Sequence, residues 1–69
     1  MSIEKNVFSG RLKHFRKEAG FYQSELAEKA QMTTAAICNY EKGIRVPQFE
    51  SLIKLSKALD ISIDTLVGR

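Results

Sequence analysis

The stretch from Gln23 to Tyr40, QSELAEKAQMTTAAICNY, constrains the fold more than any other part of the chain. It reads as two short helices joined by a tight turn. Leu26, Ala27 and Ala30 fall one helical turn apart and give the first segment a single apolar face. Ile37 and Tyr40 repeat that spacing in the second segment, with Met32 in the turn between. Helices of about two turns do not hold themselves in water, because nucleation costs more than so few hydrogen bonds return. The pair therefore needs bracing from the rest of the chain. Ala27 lies where the two helices would cross, and a larger side chain there would push their axes apart. Thr33 can cap the second segment with its hydroxyl. Thr34, Ala35, Cys38 and Asn39 are left outward, a small and mostly uncharged face at the start of a helix. A face like that suits entry into a groove.

Sixty-nine residues are expected to make one domain, residues 1–69. With 43% hydrophobic and 28% charged residues the composition is that of a folding globular chain. Eleven Lys and Arg against eight Asp and Glu give a formal charge of +3, too mild an excess to identify a polyanion partner alone. The single cysteine, Cys38, excludes an internal disulfide and agrees with a reducing compartment. No apolar run is long enough to span a bilayer and no signal segment opens the chain, so a cytoplasmic protein without membrane attachment is expected. One His and one Cys, far apart and without a supporting carboxylate constellation, make a poor nucleophile pair. Metal ligands at a workable spacing are also lacking. The reading is of a chain that is not an enzyme and uses no cofactor.

The remaining segments supply the bracing. Met1 to Lys5 carries little pattern and reads as a flexible arm. Asn6 is placed to cap a first helix whose Val7, Phe8, Leu12, Phe15 and Ala19 mark one face, and Gly20 ends it. Arg11, Lys13, His14 and Lys17 lie on the other face. The second and third helices run from about Gln23 to Ala30 and from about Thr34 to Tyr40, and Gly43 ends the third in the left-handed conformation. After Pro47 a fourth helix, Gln48 to Leu59, puts Phe49, Leu52, Ile53, Leu55 and Leu59 on its packing side. Asp60 stands where a glycine is expected, and Ser62 can cap a last helix, Ile63 to Val67. The fold class is all-α, with five helices.

Quoted together, QSELAEKAQMTTAAICNYEKG resembles the helix-turn-helix of the Cro and phage-repressor type, also called XRE-like, with the motif at about 23–42. The similarity extends from about Phe8 to Val67. It takes in the Arg and Lys before Ala19-Gly20, the Gln opening the second helix, the Glu-x-Gly after the third and Pro47 ahead of the fourth. The resemblance implies a compact lambda-repressor-like domain and a sequence-specific regulator of transcription, a repressor, that reads double-stranded DNA as a homodimer on a palindromic operator. It places Thr34, Ala35 and Asn39 at base edges, with Thr33 and Ala36 close by. An asparagine can make paired hydrogen bonds to adenine, a threonine can donate or accept, and alanine methyls can pack on a thymine methyl. Gln23, Tyr22, Lys42, Arg45 and Arg11 are the candidates for phosphate contacts.

The resemblance also implies an ion pair between Arg16 and Glu41, and a two-fold contact made by Ile61, Ile63, Leu66 and Val67 together with the preceding loops. Two positions depart from the family pattern. Tyr22 replaces the usual Ser or Thr cap, and Gln31 stands at the turn position where a glycine is common because φ there is positive. An alternative function is a protein-interaction module, an antitoxin or adaptor whose main partner is another protein; the apolar tail from Ile61 to Val67 favours it.

Overall fold

The computed structural model describes residues 3–68. It consists of α1 (Lys5–Glu18), α2 (Gln23–Lys29), α3 (Thr34–Glu41), α4 (Phe49–Leu59) and α5 (Ile63–Val67). Among the described residues there is no strand and no helix long and apolar enough to cross a membrane.

The helix starts follow local chemistry. Glu4, not Asn6, caps α1: its Oε1 accepts from the Asn6 amide at 3.0 Å, and its charge sits at the positive end of the helix dipole. Of the expected arm, Met1 and Ser2 lie outside the described residues. Ile3 packs on the core and Lys5 is already helical, so residues 3–5 are not a free arm. Thr33 Oγ1 accepts from the Ala36 amide at 3.1 Å, and Ser62 Oγ from the Thr65 amide at 3.0 Å.

Four helices end in the same hydrogen-bonded turn, in which two successive amides reach back to carbonyls of the last turn. The pairs are Gly20 N to Lys17 O with Phe21 N to Arg16 O, Gln31 N to Glu28 O with Met32 N to Ala27 O, Gly43 N to Tyr40 O with Ile44 N to Asn39 O, and Asp60 N to Lys57 O with Ile61 N to Ser56 O. Each turn needs one residue at positive φ. Gly20 and Gly43 take it at 79° and 75°, Gln31 and Asp60 at 57° and 56°. The two side-chain-bearing residues accept a strain of about 1–2 kcal/mol each. Both helices end where a glycine would have ended them.

The core draws on every helix: Phe8 and Leu12, Leu26, Ala27 and Ala30, Ile37 and Tyr40, Leu52, Leu55 and Leu59, and Leu66. α1 packs on α3 and α5, α2 on α3 and α4, and α4 on α5. The Phe8 ring meets Tyr40 edge-on, with centroids 6.1 Å apart, which fixes α1 against the inner side of α3. Ala27 is buried where α2 and α3 approach each other.

Several expected core positions are not in the core. Val7 and Phe49 are 47% and 65% exposed, and Ala19 is exposed too. Val7 lies between Ile3 and Phe8, which are covered, so it sits on the uncovered side of α1; Phe49 likewise faces out between buried Pro47 and Leu52, and Ala19 follows the end of α1. The opposite correction falls on α5. Leu66 is fully buried and Ile61, Ile63 and Val67 pack against the core, so Leu66 is not a dimer contact. A five-residue helix holds its place only by burying its apolar side, and here it does so within its own chain.

Candidate nucleic-acid interface

α3 has two unlike sides. Ile37, Tyr40 and Glu41 are buried, whereas Thr33, Thr34 and Ala35 are exposed at the helix start, with Cys38 and Asn39 partly exposed further along. Ala36 is half-buried against the core, so its methyl does not stand clear as that of Ala35 does. The outer side presents hydroxyls, a methyl and a carboxamide with no charge. The first-turn amides add donors and the positive end of the dipole. Such a surface can hydrogen-bond base edges or a phosphate without a steric barrier.

The inner side is held by a buried network. Arg16 Nε donates to Glu41 Oε2 at 2.6 Å and Arg16 Nη2 donates to Glu41 Oε1 at 3.1 Å, a two-pronged pair with both side chains nearly out of solvent. Arg16 Nη1 also donates to the Phe21 carbonyl at 2.8 Å, and Gln23 Nε2 donates to Glu41 Oε1 at 3.1 Å. The last turn of α1, the entry to α2 and the end of α3 are thereby joined at one carboxylate. Breaking so buried a pair leaves a charge with no counter-charge. These bonds hold the end of α3 to the body alongside the buried Ile37 and Tyr40.

The candidate phosphate contacts divide. Lys42, which follows α3 directly, and Arg45 in the loop before Pro47 are exposed. Tyr22 is 77% exposed, its ring in solvent rather than over the core edge. Gln23 is half-buried, with one amide hydrogen already on Glu41. Arg11 is a correction: its Nε and Nη2 donate to the Thr65 carbonyl at 2.8 and 2.6 Å, and its guanidinium lies 5.4 Å from the centre of the Phe15 ring. That guanidinium closes the end of α5 onto α1, satisfying a carbonyl of the last turn where a cation is favoured. It is turned into the protein, not toward a phosphate.

Sequence reasoning passed over Glu25. The Tyr22 phenol does not cap α2; instead Glu25 Oε1 accepts from the Tyr22 amide at 2.8 Å. Half of a capping box is thus kept without the usual Ser or Thr, and the signal was present as an acidic residue three positions past the cap. No group of three or more His, Cys, Asp and Glu side chains that could hold a metal occurs among the described residues.

A family model described as helix-turn-helix matches residues 12–66. The transcriptional regulator ImmR of Bacillus subtilis is 41% identical over 59 residues, which cover 86% of this chain and 46% of ImmR. Among solved structures, the P22 c2 repressor bound to a synthetic operator superposes with a TM-score of 0.84 at 31% identity, covering 88% of this chain and 92% of that one. The biofilm regulator SinR in complex with DNA superposes with a TM-score of 0.82 at 38% identity, covering 86% and 95%. The chain spans about half the length of the curated relatives it matches. With α2 and α3 forming the motif, a match over this span makes the chain a member of the helix-turn-helix family of DNA-binding transcriptional regulators, a non-enzymatic class of the Cro and phage-repressor, XRE-like type.

Proposed function

We propose that the chain acts as a repressor, as a homodimer that seats one α3 per copy in successive major grooves of a roughly palindromic operator. The centres of the two helices then lie about 34 Å apart, one turn of B-form DNA. The observation that carries this reading is the exposed, uncharged outer side of α3 on a helix locked from behind by Arg16 and Glu41. The DNA-bound structures of P22 c2 and SinR support it by likeness. Thr34, Ala35 and Asn39 read base edges, with Thr33 at the groove entry and Ala36 in a lesser role. Lys42, Arg45 and Tyr22 hold phosphates, and the α2 start at Gln23 offers its backbone amides to another. A role on DNA of this kind is carried out in the cytoplasm.

The test is a pair of substitutions measured on a panel of operator variants. Asn39→Ala is expected to relax preference at one base pair, costing about 1–3 kcal/mol on the preferred sequence and little on the others. Lys42→Ala is expected to weaken all sequences alike and to flatten the salt dependence. Uniform losses from both variants would overturn the division of roles. The rival reading, an adaptor or antitoxin module, drew on the tail from Ile61 to Val67. Leu66 of that tail is fully buried in the chain's own core and Ile61, Ile63 and Val67 are partly covered, which leaves less of it for a partner.

A further inference from the structure

The described residues at positive φ are of three kinds. Gly20, Gly43 and Gly68 have no Cβ to strain, and Asp60 belongs to the short polar class that enters the left-handed region more readily than other side chains. Gln31, at 57°, belongs to neither. Its backbone is held there because the Gln31 and Met32 amides donate to the Glu28 and Ala27 carbonyls, at 3.1 and 2.9 Å. The side chain returns nothing to the fold. Gln23, Glu25 and Thr33 of the same motif all bond within the chain, whereas Gln31 is exposed and its carboxamide has no hydrogen-bond partner among the described residues. A glycine would close this turn at lower cost, so a strained residue without an internal partner directs attention to an external one.

We infer that Gln31 is a further phosphate contact, its carboxamide donating to a backbone oxygen at the wall of the groove that α3 enters. The inference rests on the DNA-binding reading above and adds a residue which that reading leaves out. Position argues for it. Gln31 stands three residues before Thr34, and three residues span at most about 10 Å. The major groove is about 12 Å wide, so with Thr34 among the bases Gln31 comes level with the sugar-phosphate wall. Attachment argues the same way. Met32 packs on the core and Thr33 Oγ1 accepts from the Ala36 amide at 3.1 Å, so the turn is fixed to the start of the reading helix and keeps its place beside it. Chemistry supplies the bond, since a carboxamide offers a phosphate oxygen two neutral N–H donors. Carrying no charge, it displaces no counterion, and this sets Gln31 apart from Lys42 and Arg45.

The experiment measures binding to a duplex that the 69-residue chain selects from a random library, and to single-base variants of that duplex, over a series of salt concentrations. Gln31→Ala keeps the Cβ and its strain and removes the carboxamide. It is expected to weaken binding about three- to tenfold on every sequence alike, with the slope of log K against log salt unchanged. Gln31→Gly is expected to lose the same factor while melting at or above the wild-type temperature. Gln31→Lys restores a long donor and is expected to regain wild-type affinity with a slope steeper by about one. The inference is overturned by wild-type affinity in Gln31→Ala, by a loss confined to one base pair, or by a fall in the melting temperature of Gln31→Gly, which would mean that the residue serves the fold. Selection of no duplex by the wild-type chain overturns the DNA reading itself, which separates the two failures.

Discussion

Arg11 and Arg16 lie on one helix, and both are turned into the protein; Lys42 and Arg45 flank the end of α3, and both stand in solvent. All four carry the same charge. What separates them is whether the chain brings an acceptor within reach. Arg16 finds the Glu41 carboxylate and the Phe21 carbonyl, and Arg11 finds the Thr65 carbonyl and the Phe15 ring. A guanidinium, with its planar fork of donors, is the group best able to take up such offers. Positive charge on a small DNA-binding domain is therefore of two kinds, and only the kind without an internal partner is available to phosphate.

The sharpest test of that division is Glu41→Ala. It leaves Arg16 buried without its counter-charge and is expected to cost about 3–5 kcal/mol, which in a domain this small lowers Tm by more than about 12 °C. A thermal melt measures it, and a drop of only a few degrees would mean that the network does not hold α3 in place. Next comes Arg11→Met, which keeps an apolar stem over Phe15 and removes the bonds to Thr65. A loss of about 1.5–3 kcal/mol in stability is expected, with the salt dependence of DNA binding unchanged. If instead the slope of log K against log salt fell by about one, Arg11 would belong with the phosphate contacts and the comparison would collapse. The smallest effect on stability is expected from Arg45→Gln, within about 0.5 kcal/mol of wild type. In this variant the salt slope should fall by about one, the reverse of the Arg11 result.

Element positions were legible because this chain punctuates its helices. Gly20 and Gly43, Thr33 and Ser62 mark ends that hydrogen bonding then enforces, and even the two substitutes for glycine, Gln31 and Asp60, adopt the conformation their positions demand. Less legible was which apolar residue is covered. Helical spacing assigns Val7, Phe49 and Leu66 to faces, but whether a face is covered depends on where the neighbouring helix stops. Val7 and Phe49 fall on sides of α1 and α4 that no other helix covers, while Leu66 of α5 is fully covered. The same gap misled the reading of Arg11, whose acceptor lies 54 residues away in sequence. Asn6 lost the cap to Glu4 because two polar candidates two residues apart compete, and where the chain enters the helix decides between them.

Because α3 is fastened by Ile37, Tyr40 and Glu41 on its inner side, by Ala36 against the core and by the Thr33 cap, none of its anchoring depends on the side chains of Thr34 or Ala35. The outward letters can be exchanged like type in a fixed frame. On the DNA-reading role proposed above, a lineage carrying this scaffold can drift to new addresses on a genome by changing a few small residues, while the foldedness of the product stays nearly constant.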